Sequence, residues 1–185
     1  NDDNFKEVLK ASVKDPYELI RRIAATMIGN CGDDEFIEPL VEIIFNDKYS
    51  KRVKYNAYNS LNFMNPDALI QSLPEMTQKY SYVLNNSSLR DDLLKKAAYT
   101  KNKVIESFEY VASDSSEMKY RFQEIRNLRN YYYHSVVEDY LKLLVNPVFN
   151  DELRVSLIEA LAWFTHSVHR DKILEQCYEI KNNED

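Results

Sequence analysis

Apolar residues recur at steps of three and four along almost the whole chain, the spacing that puts them on one side of an α-helix. The pattern is clearest between Asp15 and Ile44. Ile20, Ile23, Ala24, Met27, Ile28 and Cys31 form one stripe, and Phe36, Ile37, Leu40, Val41 and Ile44 form a second. Asp15 suits the cap of the first helix and Pro16 its first turn, where a missing N–H costs nothing. Gly32 follows the last position of the stripe, as a glycine that closes a helix does. The stretch therefore predicts a helix, a short turn and a second helix.

The same spacing predicts helices over 4–13, 34–46 and 49–64. Asn65-Pro66-Asp67 starts another, which Pro74 is expected to interrupt by removing a donor and crowding the turn before it. Residues 75–86 keep the spacing only in part. A long helix over about 89–112 follows, then one carrying Met118, Phe122, Ile125, Leu128 and Tyr132. A bend is expected at 131–134, with further helices over 136–145, about 151–165 and about 168–181. The polar tail from Lys181 to Asp185 reads as frayed. With only 2 Gly and 5 Pro, the chain is too poor in turn formers for a strand-rich fold, and the class is all-α.

The chain also matches itself. Shifted by 33 residues, Ile20, Arg21, Ala24 and Ile28 fall on Val53, Lys54, Ala57 and Leu61. Shifted by a further 100, the second set falls on Leu153, Arg154, Leu157 and Leu161, which is about three periods on. Asp15, Pro16, Ile20, Arg21, Ala24, Ile28 and Gly29 resemble, position by position, the HEAT repeat, the helix-pair unit of α-solenoids. Asp47, Val53, Lys54, Ala57 and Leu61 repeat the resemblance, as do Asp151, Leu153, Arg154, Ala160 and Leu161. It is clear over about 15–73 and 136–178. The middle, 75–133, follows by helical pattern alone, and its helix over 89–112 is longer than a HEAT helix.

The resemblance implies a right-handed α-α superhelix, a HEAT/ARM-like solenoid of about five helix pairs forming one domain over 1–185. It implies that Asp15, Arg21, Asp47, Lys54, Asp151 and Arg154 form a ladder between repeats. It also implies that the second helix of each pair lines a concave groove. On the side of those helices away from the core stripe stand Arg22 and Asn30, then Tyr55, Tyr58, Asn59, Asn62 and Phe63. The later repeats add Tyr120, Asn127, Tyr131, Ile158, Glu159 and Trp163. Aromatic rings beside amides suit recognition of a protein or peptide, because Tyr and Trp bury much area at small entropy cost.

Composition narrows the alternatives. A formal net charge of −6 works against nucleic acid as a partner, since phosphate contacts need a clustered basic surface. No apolar run approaches the roughly 20 residues of a membrane span. Cys31 and Cys177 lie in the first and last repeats and are expected to be free, mostly buried thiols, which favours a reducing, cytoplasmic setting. The start at Asn1 reads as a processed or excised chain. Nothing in these patterns specifies an oligomeric state.

Candidate chemistry is sparse. Two glycines cannot supply a phosphate loop or a nucleophile elbow, and the carboxylates are spread over helix surfaces. His134, His166 and His169 lack the i,i+4 spacing or the added Glu of a helical metal pair, and read as incidental surface residues. The expectation is a non-enzymatic binding scaffold with no cofactor, no metal and no catalytic residue. Two alternatives remain open. One is a HEAT-like enzyme or DNA-binding protein, as in DNA glycosylases and bilin lyases. It would draw on Lys119, Arg121, Arg126 and Arg129, which Asp114, Glu117 and Glu124 dilute. The other is an architectural piece of a longer solenoid, which exposed apolar surface at an end repeat would favour.

Overall fold

The computed structural model describes residues 2–183. Among them are eleven α-helices and no strand. They are α1 (Asp2–Ser12), α2 (Glu18–Cys31), α3 (Ile37–Phe45), α4 (Lys51–Leu61), α5 (Pro66–Lys79) and α6 (Ser81–Leu84), then α7 (Ser87–Ala112), α8 (Met118–Asn130), α9 (Val137–Leu144), α10 (Asp151–Leu161) and α11 (Arg170–Asn183). Short 3-10 turns, Asp34–Phe36 and His134–Val136, lead into α3 and α9. The fold is all-α and HEAT-like. It divides into two compact units, 1–100 and 101–185, with the division falling inside α7.

In the first unit α2 packs on α1 and α4, and α3 packs on α4 and α5. The core holds Ile28, Phe36, Leu40, Val41, Val53, Ala57 and Leu73. The helix boundaries follow local chemistry. Gly32 takes φ 68° and its N–H bonds to the Ile28 carbonyl, closing α2. Ser50 Oγ accepts from Val53 N–H at the start of α4, and Asn65 Oδ1 accepts from Asp67 N–H ahead of Pro66.

The second unit repeats the first at a constant offset of 100 residues, from α2 through the end of α4. Helices α8, α9 and α10 stand for α2, α3 and α4, and the 3-10 turn at 134–136 stands for the one at 34–36. Asn46 and Asn146 each accept a bond on Oδ1 from the N–H two residues on, and Asn150 Oδ1 caps α10 as Ser50 caps α4. Tyr49 and Phe149 both turn inward behind those asparagines. Ile28, Val53, Ala57 and Leu61 are buried, as are Leu128, Leu153, Leu157 and Leu161. Tyr132 occupies the place of Gly32 and also has positive φ, 46°, which a non-glycine residue adopts at a cost. The repeat thus runs through residues 118–133, which read as divergent in the sequence.

Two expectations are corrected. Ile20 and Ile23 do not line the core; they are 38% and 52% exposed. Helix α2 turns Ala24, Ile28 and Cys31 to the core and Ala25 and Gly29 to α4, so its isoleucines are left on the open side. Pro74 does not interrupt its helix, since α5 runs on to Lys79. The ring is exposed, while buried Leu69, Leu73 and Met76 anchor the helix on both sides of it, so packing outweighs the lost donor. The chain is helical through Asn183, and the last two residues of the tail lie outside the described residues. Cys31 and Cys177 are both free; Cys31 is buried and Cys177 half-buried, and burial pushes both thiols above their ordinary pKa.

Candidate binding face on the second helices

The α2–α4 contact sets the geometry of the first unit. Asn56 Nδ2 donates to the Arg22 carbonyl at 3.2 Å and to Thr26 Oγ1 at 3.1 Å, and Ser60 Oγ donates to the Ala25 carbonyl at 2.7 Å. Gly29 lies against Ser60, where a side chain would find no room. These residues, not the Asp and Arg positions, join one repeat to the next. A glycine in the middle of a helix was the available signal in the sequence. Without a partner helix in view, nothing pointed from Gly29 to Asn56 and Ser60.

With its inner side committed to α2 and the core, α4 presents Tyr55 to solvent, 66% exposed. Arg22, Asn30, Asn59, Asn62 and Phe63 are half-buried. Tyr58 is half-buried and packs against the core. Arg22, Lys51, Arg52, Tyr55 and Asn56 surround an open depression of about 400 Å³. Lys51 and Arg52 were not among the residues singled out from the sequence.

In the second unit Tyr120 and Tyr131 are exposed on and just beyond α8. Tyr120 meets Tyr110 edge to face at 6.3 Å between centroids, and Tyr131 stacks on Tyr133 at 5.7 Å. Asn127 is half-buried and donates to Glu124, which also accepts from Ser107 Oγ. Trp163 is 57% exposed, with the Arg129 guanidinium over its ring at 5.2 Å. Glu159 is exposed, whereas Ile158 packs against the core.

The Asp and Arg positions act locally. Arg21 Nη1 donates to the carbonyls of Asp15 and Pro16, and Asp15 Oδ1 accepts from Tyr17 N–H. Lys54 pairs with Asp47 at 3.0 Å. Arg154 pairs with Asp151 at 2.8 Å and donates to the carbonyls of Asn146 and Phe149. Each cation clasps the loop in front of its own helix, and these bonds stay inside one repeat. The bonds of these cations run to their own loop and not to the next repeat, which the expected ladder would require.

The histidines differ from the surface residues expected. His134 is buried, its Nδ1 bonds to buried Ser167 Oγ at 3.0 Å, and its ring stacks on His169 at 6.1 Å. Burial holds the His169 imidazole below its ordinary pKa, with Glu138 opposing the shift. Tyr132 and Phe164 pack against the His134 ring, and the Ser167–His134 pair is buried. His166 remains exposed. Among the described residues no group of three or more side chains is placed to hold a metal ion, and no helix is long and apolar enough to cross a membrane.

Stacked helix pairs, a second-helix face left open and a loop clasp that recurs define a helical-repeat protein. Residues 5–88 match the family model of HEAT repeats. No curated protein and no solved structure matches it.

Proposed function

We propose that this protein is a non-catalytic scaffold module whose units each offer a docking face for a protein or peptide on their second helices, α2 and α4 in the first and α8 and α10 in the second. HEAT repeats generally act as protein-interaction scaffolds. The observation that carries the reading is the exposed rings, Tyr55 in the first unit and Tyr120, Tyr131 and Trp163 in the second, on or beside helices that also present Asn30, Asn59 and Asn62 in the first and Asn127 in the second. Rigid rings supply contact area, and amides can bond an extended backbone. Selection of a displayed random-peptide library on the folded protein tests it. Selected peptides are expected to lose affinity by about tenfold or more for a Tyr55→Ala/Trp163→Ala variant. A library with no binders, or binders indifferent to both substitutions, would end the proposal.

The duplex-DNA alternative loses support from the placement of its cations. Arg121 is buried and Arg129 is committed to Trp163, which leaves Lys119 and Arg126 beside the acidic residues of the same region. The architectural alternative gains one observation, the exposed Val8, Leu19, Ile20 and Ile23 on α1 and α2. If that face receives a further helix, the folded chain is expected to bind the dye ANS and to lose that binding on Ile20→Ser/Ile23→Ser substitution. Absence of dye binding would remove that reading.

A further inference from the structure

The two units carry the same frame with opposite charge at one place. The first turn of α4 holds Lys51 and Arg52, and at the same positions the first turn of α10 holds Asp151 and Glu152. A helix N-terminus carries partial positive charge and favours acids over bases. Both helices are capped the same way, by Ser50 and by Asn150, so the fold itself has no need of cations at this site. Arg22 adds a third cation where the second unit has Phe122. The side chains of Arg22, Lys51 and Arg52 make no ion pair among the described residues, although Lys6, Lys48, Lys54 and Lys79 of the same unit are all paired. Arg22 Nε is enclosed without an acceptor.

We propose that the depression lined by Arg22, Lys51, Arg52, Tyr55 and Asn56 is a carboxylate-binding site that takes an acidic segment of a partner protein. The inference rests on the peptide-docking reading and names the chemistry of the docked chain. The Arg22 guanidinium offers a planar fork that a Glu or Asp carboxylate can meet with two bonds. Lys51 and Arg52 supply point charge at the entrance, and Tyr55 gives the aliphatic stem of the acid a flat apolar wall. Asn56 holds the Arg22 carbonyl and so fixes the backbone beneath the guanidinium. Complementarity favours a peptide over nucleic acid, because three cations on a chain of net charge −6 fit a few carboxylates and not a phosphate backbone.

Fluorescence anisotropy with a labelled peptide of alternating Glu and Ser tests the site. The same peptide with Gln in place of Glu and a labelled single-stranded DNA serve as comparisons. The Glu peptide is expected to bind, to weaken as salt is raised, and to lose about tenfold or more in affinity for Lys51→Glu/Arg52→Glu. Equal binding of the Gln peptide, unchanged binding by the variant, or preference for the DNA would overturn the inference. A dimer of the parent protein that disappears in the variant would assign the cations to Asp151 and Glu152 of a second copy, and would overturn it too. The variant is expected to melt no lower than the parent, since acids suit that helix end; a lower melting temperature would mean that the cations hold the fold. Library peptides that lack acids yet still depend on Tyr55 and Trp163 would sink this inference alone and leave the docking reading standing.

Discussion

Replacing Gly29 by alanine is expected to lower stability by about 2 kcal/mol, and the melting temperature of its unit by roughly 10 °C. A Cβ at this position would lie 2.8 Å from Cβ and Oγ of Ser60 and 2.9 Å from its Cα. None of these is the far end of a flexible side chain, so relief requires α2 and α4 to move apart. That movement strains the three bonds by which Asn56 and Ser60 hold α2, each a net contribution of about 1 kcal/mol. Together they set a cost near 3 kcal/mol. Alanine is the better helix former by about 1 kcal/mol, which offsets part of it. Urea denaturation followed by circular dichroism measures the difference. Unchanged or raised stability would mean that the helices can separate freely and that the close approach is not what joins the repeats. The second unit has no such constraint, because its equivalent position carries Arg129, whose guanidinium rests on Trp163.

The helices themselves were legible because their signals are local. Gly32, Asn65-Pro66 and Asn150 act on their own turns, and the apolar stripes of α3 and α4 face the core the pattern assigns them. The errors came from contacts that no single helix encodes. Ile20 and Ile23 have core spacing, but the side of α2 that is buried depends on where α4 approaches, and that is set by Ala25, Gly29 and Ser60. Tyr58 and Ile158 share a helix face with exposed residues yet fall on the core edge. Pro74 obeys a local rule that the packing of Leu69, Leu73 and Met76 overrides. His134 looked like a surface residue because its partners, Ser167 and His169, lie more than thirty residues away.

The second substitution of large expected effect is Arg121→Ala, at about 3 kcal/mol. The Arg121 side chain is 4% exposed, and its Nε donates to the Val111 carbonyl at 2.8 Å. Val111 lies in the last turn of α7, where carbonyls have no partner inside the helix. The guanidinium lies over the Phe149 ring at 5.7 Å. Its ion pair with Asp114 is long, 3.6 Å, and that carboxylate is 85% exposed, so it contributes less than about 1 kcal/mol. Truncation therefore costs mainly the charged hydrogen bond, a buried carbonyl left without a donor, and the emptied volume. Arg121→Met restores most of the volume and removes a costly buried charge, so it is expected to lose only about 1 kcal/mol. Asp114→Ala is expected to lose less still. Denaturation of the three variants ranks the contributions: if Asp114→Ala cost as much as Arg121→Ala, the ion pair and not the α7 carbonyl would be what the arginine serves. Arg21 stands at the same place in the first unit and also donates to the carbonyls of the segment before it, Asp15 and Pro16. The arginine of this repeat position thus works as a clasp on the preceding chain in both units. It sits deeper where the preceding chain is the end of a long helix than where it is an open loop, and the larger loss is expected in the deeper one.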